Sequence, residues 1–275
     1  MLDLLVLLST LTALFLVVGW AIGGVLGITL ALVLAVSLNL VSYWYSDRII
    51  LRMFNAEPTK HIQMQKMVEK LAKEAKMPVP KLYIIPTRPD IMNAFATGRD
   101  PRHSAIAVTR GLLTLQDDEL EAVLAHEMGH IRNRDTLVST IAATLAGAIS
   151  YLAQIGYWSV FMGSRRDEGS IFGLLLIVIF APMAALIIRL AVSRSREYGA
   201  DYMGVLLTKK PKSLIGALTR ISHSTREHTL RGPTATSHLW IVNPFHKDWF
   251  TGLFSTHPPI KNRIERISAI DEIHF

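Results

Sequence analysis

The chain has 275 residues, half of them hydrophobic, and its mean hydropathy of +0.32 is rarely found in a soluble domain. Basic residues outnumber acidic ones by 29 to 22, for a net charge of +7. In so apolar a chain this excess indicates cytoplasmic segments and anionic lipid rather than nucleic acid as the partner. Cysteine is absent, which excludes thiolate-rich zinc sites and leaves His, Asp, Glu and water as ligands, the set typical of catalytic zinc.

The first predicted element is a hairpin of two membrane spans over residues 1–46. Residues 4–46 carry no charge, and one span needs about 20 residues. Arg48 and Arg52 follow the second span, so the positive-inside rule places both ends of the hairpin in the cytoplasm. Three glycines at four-residue intervals favour a bend, with close helix packing as the alternative: Gly19, Gly23 and Gly27.

The next segment, 47–135, is predicted to be cytoplasmic and to contain a helix and a small sheet. Apolar residues recur at helical spacing between lysines over Ile62–Lys76. Three short apolar runs bounded by turn residues predict strands: Lys81–Pro86, Ile91–Ala96 and Ala105–Thr109. An exposed edge of such a sheet can hold an extended peptide through main-chain hydrogen bonds.

A candidate metal-binding helix begins near Asp117 and contains the run from His126 to His130, His-Glu-Met-Gly-His. Histidines four residues apart lie on one helix face and can reach the same metal. Glu127 between them has the position of a general base. A lone His-Glu pair on a helix is usually exposed on the protein surface. The small apolar neighbours here indicate instead that the pair is buried, and its burial without a metal would carry a large desolvation free energy.

Two further apolar runs, 136–162 and 171–188, predict a second two-span hairpin over residues 136–188. Four spans leave 47–135 and 189–275 on the same cytoplasmic side. Glu197 follows the fourth predicted span, which would return it to the interface near His130, and it is our candidate for the third ligand. Asp201 lies one turn further along and is placed to orient a ligating imidazole.

The remaining histidines are given less weight. His274 lies near the end of the sequence and is assigned no role. Six others are expected to be exposed polar residues: His61, His103, His223, His228, His238 and His246.

Several motifs together resemble the HtpX-type membrane metalloproteases, which are related to the CAAX prenyl endopeptidases. They are the hairpin and four runs, Asn93–Gly98, Ala125–His130, Ser195–Asp201 and Ser255–Pro259. The resemblance implies a mainly α integral membrane protein with four transmembrane helices in two hairpins. It also implies a cytoplasmic α+β zincin-like domain with a small sheet, located at the cell's inner (cytoplasmic) membrane.

The same resemblance implies one Zn²⁺ per subunit, held by His126, His130 and Glu197, with Glu127 as general base and later proton donor. Asn93 and its strand would grip the substrate backbone. His257 would hydrogen-bond the oxyanion of the reaction, with a structural His-Pro turn as the equal alternative. Arg263 is expected in a structural ion pair.

The predicted function is therefore a zinc-dependent endopeptidase that cleaves membrane or misfolded proteins at the bilayer surface. Prenyl-peptide processing is the less favoured substrate class, because the CAAX enzymes enclose their site with more spans. A non-catalytic zinc-binding membrane scaffold is the alternative, and it predicts that Glu127→Gln leaves function intact. A transporter or channel is disfavoured because the spans hold few ionisable groups. Oligomeric state is left open.

Overall fold

The computed structural model describes residues 2–146, 194–230, 232–245 and 258–274. The helices are α1 (Leu2–Met53), α2 (Ile62–Ala75), α3 (Asp117–Asn133), α4 (Asp135–Ala146), α5 (Arg194–Thr208), α6 (Pro211–Glu227) and α7 (Ile260–His274). The strands are β1 (Glu57–Pro58), β2 (Lys81–Ile85), β3 (Ala94–Gly98) and β4 (Ser104–Thr109).

Helix α1 is a hairpin of two arms, broken by non-helical backbone at Gly23 and Gly24. Gly24 has φ 54° and ψ −133°, a conformation available almost only to glycine. Below the bend the arms touch, since a Cβ added to Gly19 would lie 2.5 Å from the Gly27 carbonyl oxygen. The amide of Asn39 donates to the Thr12 hydroxyl across the hairpin at 3.2 Å. The predicted bend and its alternative, close packing, are both confirmed, at different glycines.

Among the residues the structure describes, one helix is long and apolar enough to cross a membrane, the arm Gly23–Met53. Large apolar side chains on this arm are exposed, among them Val25 at 83% and Leu30 at 63%, as expected of a lipid-facing surface. The arm Leu5–Trp20 and α4 are shorter apolar helices. Most of the predicted second hairpin falls within 147–193, outside the described residues, so the four-span count stays a prediction.

The sheet has the order β1-β2-β4-β3, with β2 and β4 parallel and the other pairs antiparallel. All three predicted strands form. However, β3 begins three residues later than predicted, because Ile91 N–H bonds to the Arg88 carbonyl and prolongs the preceding turn. The two-residue β1 was missed, since it is too short to show any alternation.

The sheet is packed on both faces, and this packing positions helix α3. One face meets α2 and α3 through side chains such as Leu71, Ile106 and Leu124. The other meets the end of α1 and the segment around Trp240, whose ring is edge-on to Phe95 at 5.0 Å. The burial of these apolar side chains is the main favourable contribution to the free energy of folding.

Helix α3 lies against α5 at close range because glycines face the contact. A Cβ on Gly129 would be 3.0 Å from the Ala200 Cα, and one on Gly204 would be 3.3 Å from the His126 nitrogen. Helix α3 then ends at Arg134, in the left-handed conformation (φ 59°, ψ 26°). Helix α4 starts immediately and packs on the α1 hairpin through residues such as Ile141. The two helices are therefore not one continuous helix.

Candidate metal centre

Two imidazoles face each other on α3. The helix starts where predicted, and the Gln116 N–H donates to the Glu119 carboxylate at its N-terminus, a favourable interaction at that end. One turn separates His126 from His130, and their ring centroids are 4.9 Å apart. His126 is fully buried and the side chain of His130 is 16% exposed, so helix α3 places one candidate ligand deep in the core and the other nearer the surface.

A carboxylate from α5 completes the cluster. Glu197 Oε1 lies 3.7 Å from His130 Nε2, and Glu197 Oε2 lies 4.0 Å from His126 Nε2. One potential ligand atom from each of the three residues lies within 4.8 Å of the other two. Two atoms bonded to one zinc at about 2.0–2.2 Å are at most about 4.4 Å apart. Both measured distances satisfy this limit. The donor set of two imidazoles and one carboxylate also suits a catalytic zinc, so the residues fit the metal.

Each imidazole has a carboxylate at its other nitrogen. Asp201 Oδ1 lies 3.1 Å from His126 Nδ1, in the orienting position anticipated for it. Asp135 Oδ2 lies 3.2 Å from His130 Nδ1, and sequence reasoning had assigned this residue no role. Both contacts leave Nε2 as the nitrogen directed to the cluster, which is the usual effect of a carboxylate behind a metal-binding histidine.

Arg263 is the counter-charge of the site. Its side chain is completely buried and forms a two-pronged pair with Asp201, at 2.9 Å from Nε and 2.7 Å from Nη2. Nη1 contacts Glu197 Oε2 at 3.3 Å and donates to the Ile241 carbonyl at 3.0 Å. The expected ion pair is confirmed, and it ties α7 to both carboxylates of α5.

Burial and nearby charges shift the pKa values of the site residues, upward for Glu127 and His130 and downward for His126. Burial raises the pKa of Glu127 to about 7. Burial alone would lower the pKa of His130, but Asp135, Glu197 and Glu127 together raise it to about 9. Burial lowers the pKa of His126. Without a metal, His130 is thus protonated at neutral pH, and a cation must displace that proton in order to bind.

Burial would also raise the pKa of Asp201, but the Arg263 guanidinium and His126 hold it well below its usual range. In the same way burial would lower the pKa of Arg263, and Asp201 and Glu197 raise it instead. Asp201 and Arg263 are therefore a permanently charged pair. Their charges stay fixed through any proton transfer at the site.

A cavity opens beside the three candidate ligands. It is lined by Ala96, Glu127, His130, Asp135, Thr136, Ser139, Glu197, His238 and Leu239. Glu127 projects into it and is hydrogen-bonded by the main chain of Ala96. The cavity therefore joins the outer edge of β3 to the first turn of α4.

The structure bears on two sequence-based assignments, His238 and Asn93. The prediction that His238 is exposed is wrong, because this residue is only 5% exposed and lines the cavity. Its Nε2 lies 3.0 Å from the Ser139 carbonyl oxygen. No local sequence pattern signalled this burial, which depends on a segment that pairs with β3. Asn93 is fully buried, and its Nδ2 donates to the Val242 carbonyl at 2.6 Å, so in this structure its amide holds a neighbouring segment. His257 lies outside the described residues.

The H-E-x-x-H helix with a glutamate from a second helix defines the class as a metallopeptidase. The sequence model of peptidase family M48 matches residues 58–271, and the chain belongs to this family. It is therefore a metalloprotease, a hydrolase of peptide bonds, as the motifs had predicted.

Similar proteins are found in archaea and bacteria. The chain is 48% identical over 273 residues to the protein named Protease HtpX homolog of Pyrococcus abyssi, covering 96% of this chain and 94% of that one. It is 47% identical to the homolog of Pyrococcus furiosus, with 96% and 93% covered. It is 44% identical to that of Desulforapulum autotrophicum, with 95% and 87% covered. The predicted resemblance to HtpX-type proteases is confirmed.

Among solved structures, the chain is similar to the crystal structure of S. mikatae Ste24p with a TM-score of 0.51. Identity is 18%, and the match covers 94% of this chain and 62% of the Ste24p chain. This likeness concerns the fold alone. The chain thus spans less than two thirds of the length of that structural neighbour.

Proposed function

We propose that the chain is a zinc-dependent endopeptidase that cleaves cytoplasmic regions of membrane proteins or misfolded proteins at the surface of the cytoplasmic membrane. The observation that supports this proposal is that His126, His130 and Glu197 lie together beside Glu127, next to the start of the apolar helix α4. Membership of family M48 supports the reaction class. The likeness to HtpX homologues supports a role in membrane-protein quality control under stress.

When bound, zinc supplies a Lewis acid that polarises a peptide carbonyl and acidifies water at the site. The protein's own part begins with Glu127, whose buried carboxylate faces the cavity and can take up and release a proton there. It takes a proton from water and returns it to the departing amine. The hydrogen bond from the Ala96 main chain holds this carboxylate in the cavity.

The substrate is proposed to lie along the outer edge of β3. Ile241 N–H already bonds to the Ala94 carbonyl at this edge, and Asn93 fixes that segment through Val242. The edge beyond Ala94, at Ala96, borders the cavity. An extended peptide added there places a carbonyl near Glu127. We therefore assign backbone recognition to the β3 edge, with Asn93 as its support, and leave oxyanion stabilisation by His257 as a prediction.

The position of β3 favours substrates that emerge from the bilayer. The Arg99 guanidinium, at the end of β3, stacks on Trp44 at 4.8 Å, and Trp44 stands in an aromatic run at the end of the apolar arm, where interfacial residues are expected. Thr97 also contacts Thr140 of α4 at 3.0 Å. Ala96 is three residues from Arg99, about 10 Å along a strand, so cleavage is proposed close to the lipid headgroups.

Purified wild type and Glu127→Gln, both in mild detergent, test this function. The wild type should contain about one zinc per chain and cleave casein or a membrane substrate, whereas Glu127→Gln should keep the metal and lose turnover by at least about 100-fold. Equal cleavage by the variant would remove Glu127 from the mechanism. Survival of the biological function in Glu127→Gln cells is what a zinc-binding scaffold predicts.

The membrane preference needs its own substrate series. A single-span reporter with one cleavable segment should be cut best when that segment lies a few residues from the span. Cleavage should fall as a flexible spacer of increasing length is inserted between them. Equal cleavage at every spacing would leave the peptidase intact and refute the membrane-surface preference.

A further inference from the structure

The acidic residue behind His130 comes from an unexpected place, the start of α4. Asp135 Oδ2 lies 3.2 Å from His130 Nδ1, and Asp135 Oδ1 lies 3.5 Å from Arg196 Nε on α5. All three side chains are largely withdrawn from solvent, at 16%, 11% and 16% exposure. An ion pair so shielded is screened less than one on the surface.

The contact depends on the interruption between α3 and α4. In a continuous helix each residue advances by about 100°, so the fifth residue after His130 would lie about 140° away from it. The left-handed conformation of Arg134 ends α3 and turns the chain, after which α4 begins at Asp135. The same left-handed ending occurs at Lys76 after α2, where the chain continues as a loop. At Arg134 it returns a carboxylate to the preceding helix.

The arrangement repeats the one at the other imidazole. His126 is backed by Asp201, which is paired with Arg263. His130 is backed by Asp135, which contacts Arg196. A carboxylate that accepts a hydrogen bond from Nδ1–H fixes the ring and the tautomer and makes Nε2 a better ligand.

We propose that Asp135 is a positioning residue for the metal: it holds His130 with Nε2 directed at Glu197, and Arg196 holds the Asp135 carboxylate in turn. This inference rests on the proposed function, in which His130 is a ligand. Because Asp135 opens α4 and Arg196 lies in the first turn of α5, the two chain segments that flank the intervening apolar sequence meet behind one metal ligand. The affinity for zinc therefore depends on how these two helices are placed.

Zinc affinity measured by competition with a fluorescent chelator, on the full chain in lipid nanodiscs, tests the assignment. Asp135→Asn keeps the size of the side chain and removes its charge, and should weaken zinc binding by about 10- to 100-fold. Asp135→Glu restores a carboxylate and should recover part of the loss. Arg196→Gln, which leaves the carboxylate in place, should have a smaller effect in the same direction.

Asp118→Asn is the matched control, because Asp118 is also an acidic residue in the first turn of a helix and pairs with Lys210 at 2.6 Å. Its zinc affinity should equal that of the wild type. The visible spectrum of the Co²⁺-substituted protein adds a readout that a purely structural role would not move, and it should change in Asp135→Asn but not in Asp118→Asn.

Equal zinc affinity in Asp135→Asn and the wild type would overturn the proposal. If Asp135→Asn does not fold, Arg196→Gln is compared with Asp118→Asn instead. Equal zinc affinity in these two variants would also overturn the proposal. A wild type that binds no zinc refutes the proposed function instead, so the two failures are distinguishable.

Discussion

Replacement of Arg263 by Met is the sharpest test of how the centre is held together. The guanidinium is fully buried and contacts two carboxylates, Asp201 at 2.7 and 2.9 Å and Glu197 at 3.3 Å. Removing one partner of a buried pair leaves uncompensated charge and costs about 3–5 kcal/mol. For a unit of 150–250 residues, 1 kcal/mol shifts the melting temperature by about 2–4 °C. The metal-free variant should therefore melt about 6–20 °C below the wild type.

Intrinsic fluorescence during heating in mild detergent measures this shift, with a chelator present. Trp240 is a suitable reporter, since it is 1% exposed and packs on Phe95 in the same unit. Zinc should narrow the gap, because the cation supplies positive charge to the Glu197 carboxylate that lost its partner. The melting temperature of Arg263→Lys should lie between those of the wild type and Arg263→Met, because an ammonium group keeps the charge but cannot form both hydrogen bonds to the carboxylate.

The control is Arg220→Met, which removes an arginine that pairs with Glu119 at 3.2 Å but is 49% exposed. Exposed pairs contribute about 0–1 kcal/mol, so this variant should stay within about 4 °C of the wild type. Equal shifts in the two variants would refute the argument that burial makes Arg263 indispensable.

Three other substitutions test the surroundings of the site. Above pH 7, metal-free Glu127→Gln should be about 3 kcal/mol more stable than the wild type in chemical denaturation, because burial raises the pKa of Glu127 to about 7 and its ionisation destabilises the fold. Below pH 4.5 the two should match. Burial would raise the pKa of Glu121, but two lysines outweigh it and lower this pKa, so the ionised carboxylate stabilises the fold. Glu121→Gln should therefore lower the free energy of unfolding by about 1 kcal/mol at pH 7, and by less as the pH falls. Gly129→Ala should cost about 1–3 kcal/mol and weaken zinc retention, because its Cβ would meet Ala200 at 3.0 Å, whereas a Cβ on Gly199 has room and serves as control.

The parts of the fold that follow from local sequence were predictable. The uncharged run 4–46 identified the hairpin, and alternation and turn residues located three of the four strands. His126, Glu127 and His130 share one helix, so helical periodicity alone placed them together. Glu197 required more, an assumed return of the chain to the interface, and the structure brings it to within 4.0 Å of both imidazoles.

The parts that depend on chain reversals were not predictable. Asp135 lies five residues beyond His130, a spacing that argues against contact on a regular helix, and only the left-handed Arg134 brings them together. Nothing in the sequence forces an arginine into that conformation. Similarly, His238 is buried because the segment near Ile241 pairs with β3 across a long separation. No local pattern encodes such a pairing.

The order of the site residues along the chain has a consequence for biosynthesis. His126 and His130 are made before the apolar sequence 136–188, and Glu197, Asp201 and Arg263 after it. A ribosome-bound chain that has emerged only as far as His130 lacks both the candidate carboxylate ligand Glu197 and its guanidinium partner Arg263. The three candidate ligands can therefore come together only after the residues beyond this apolar sequence have been made, so the complete cluster forms late in synthesis.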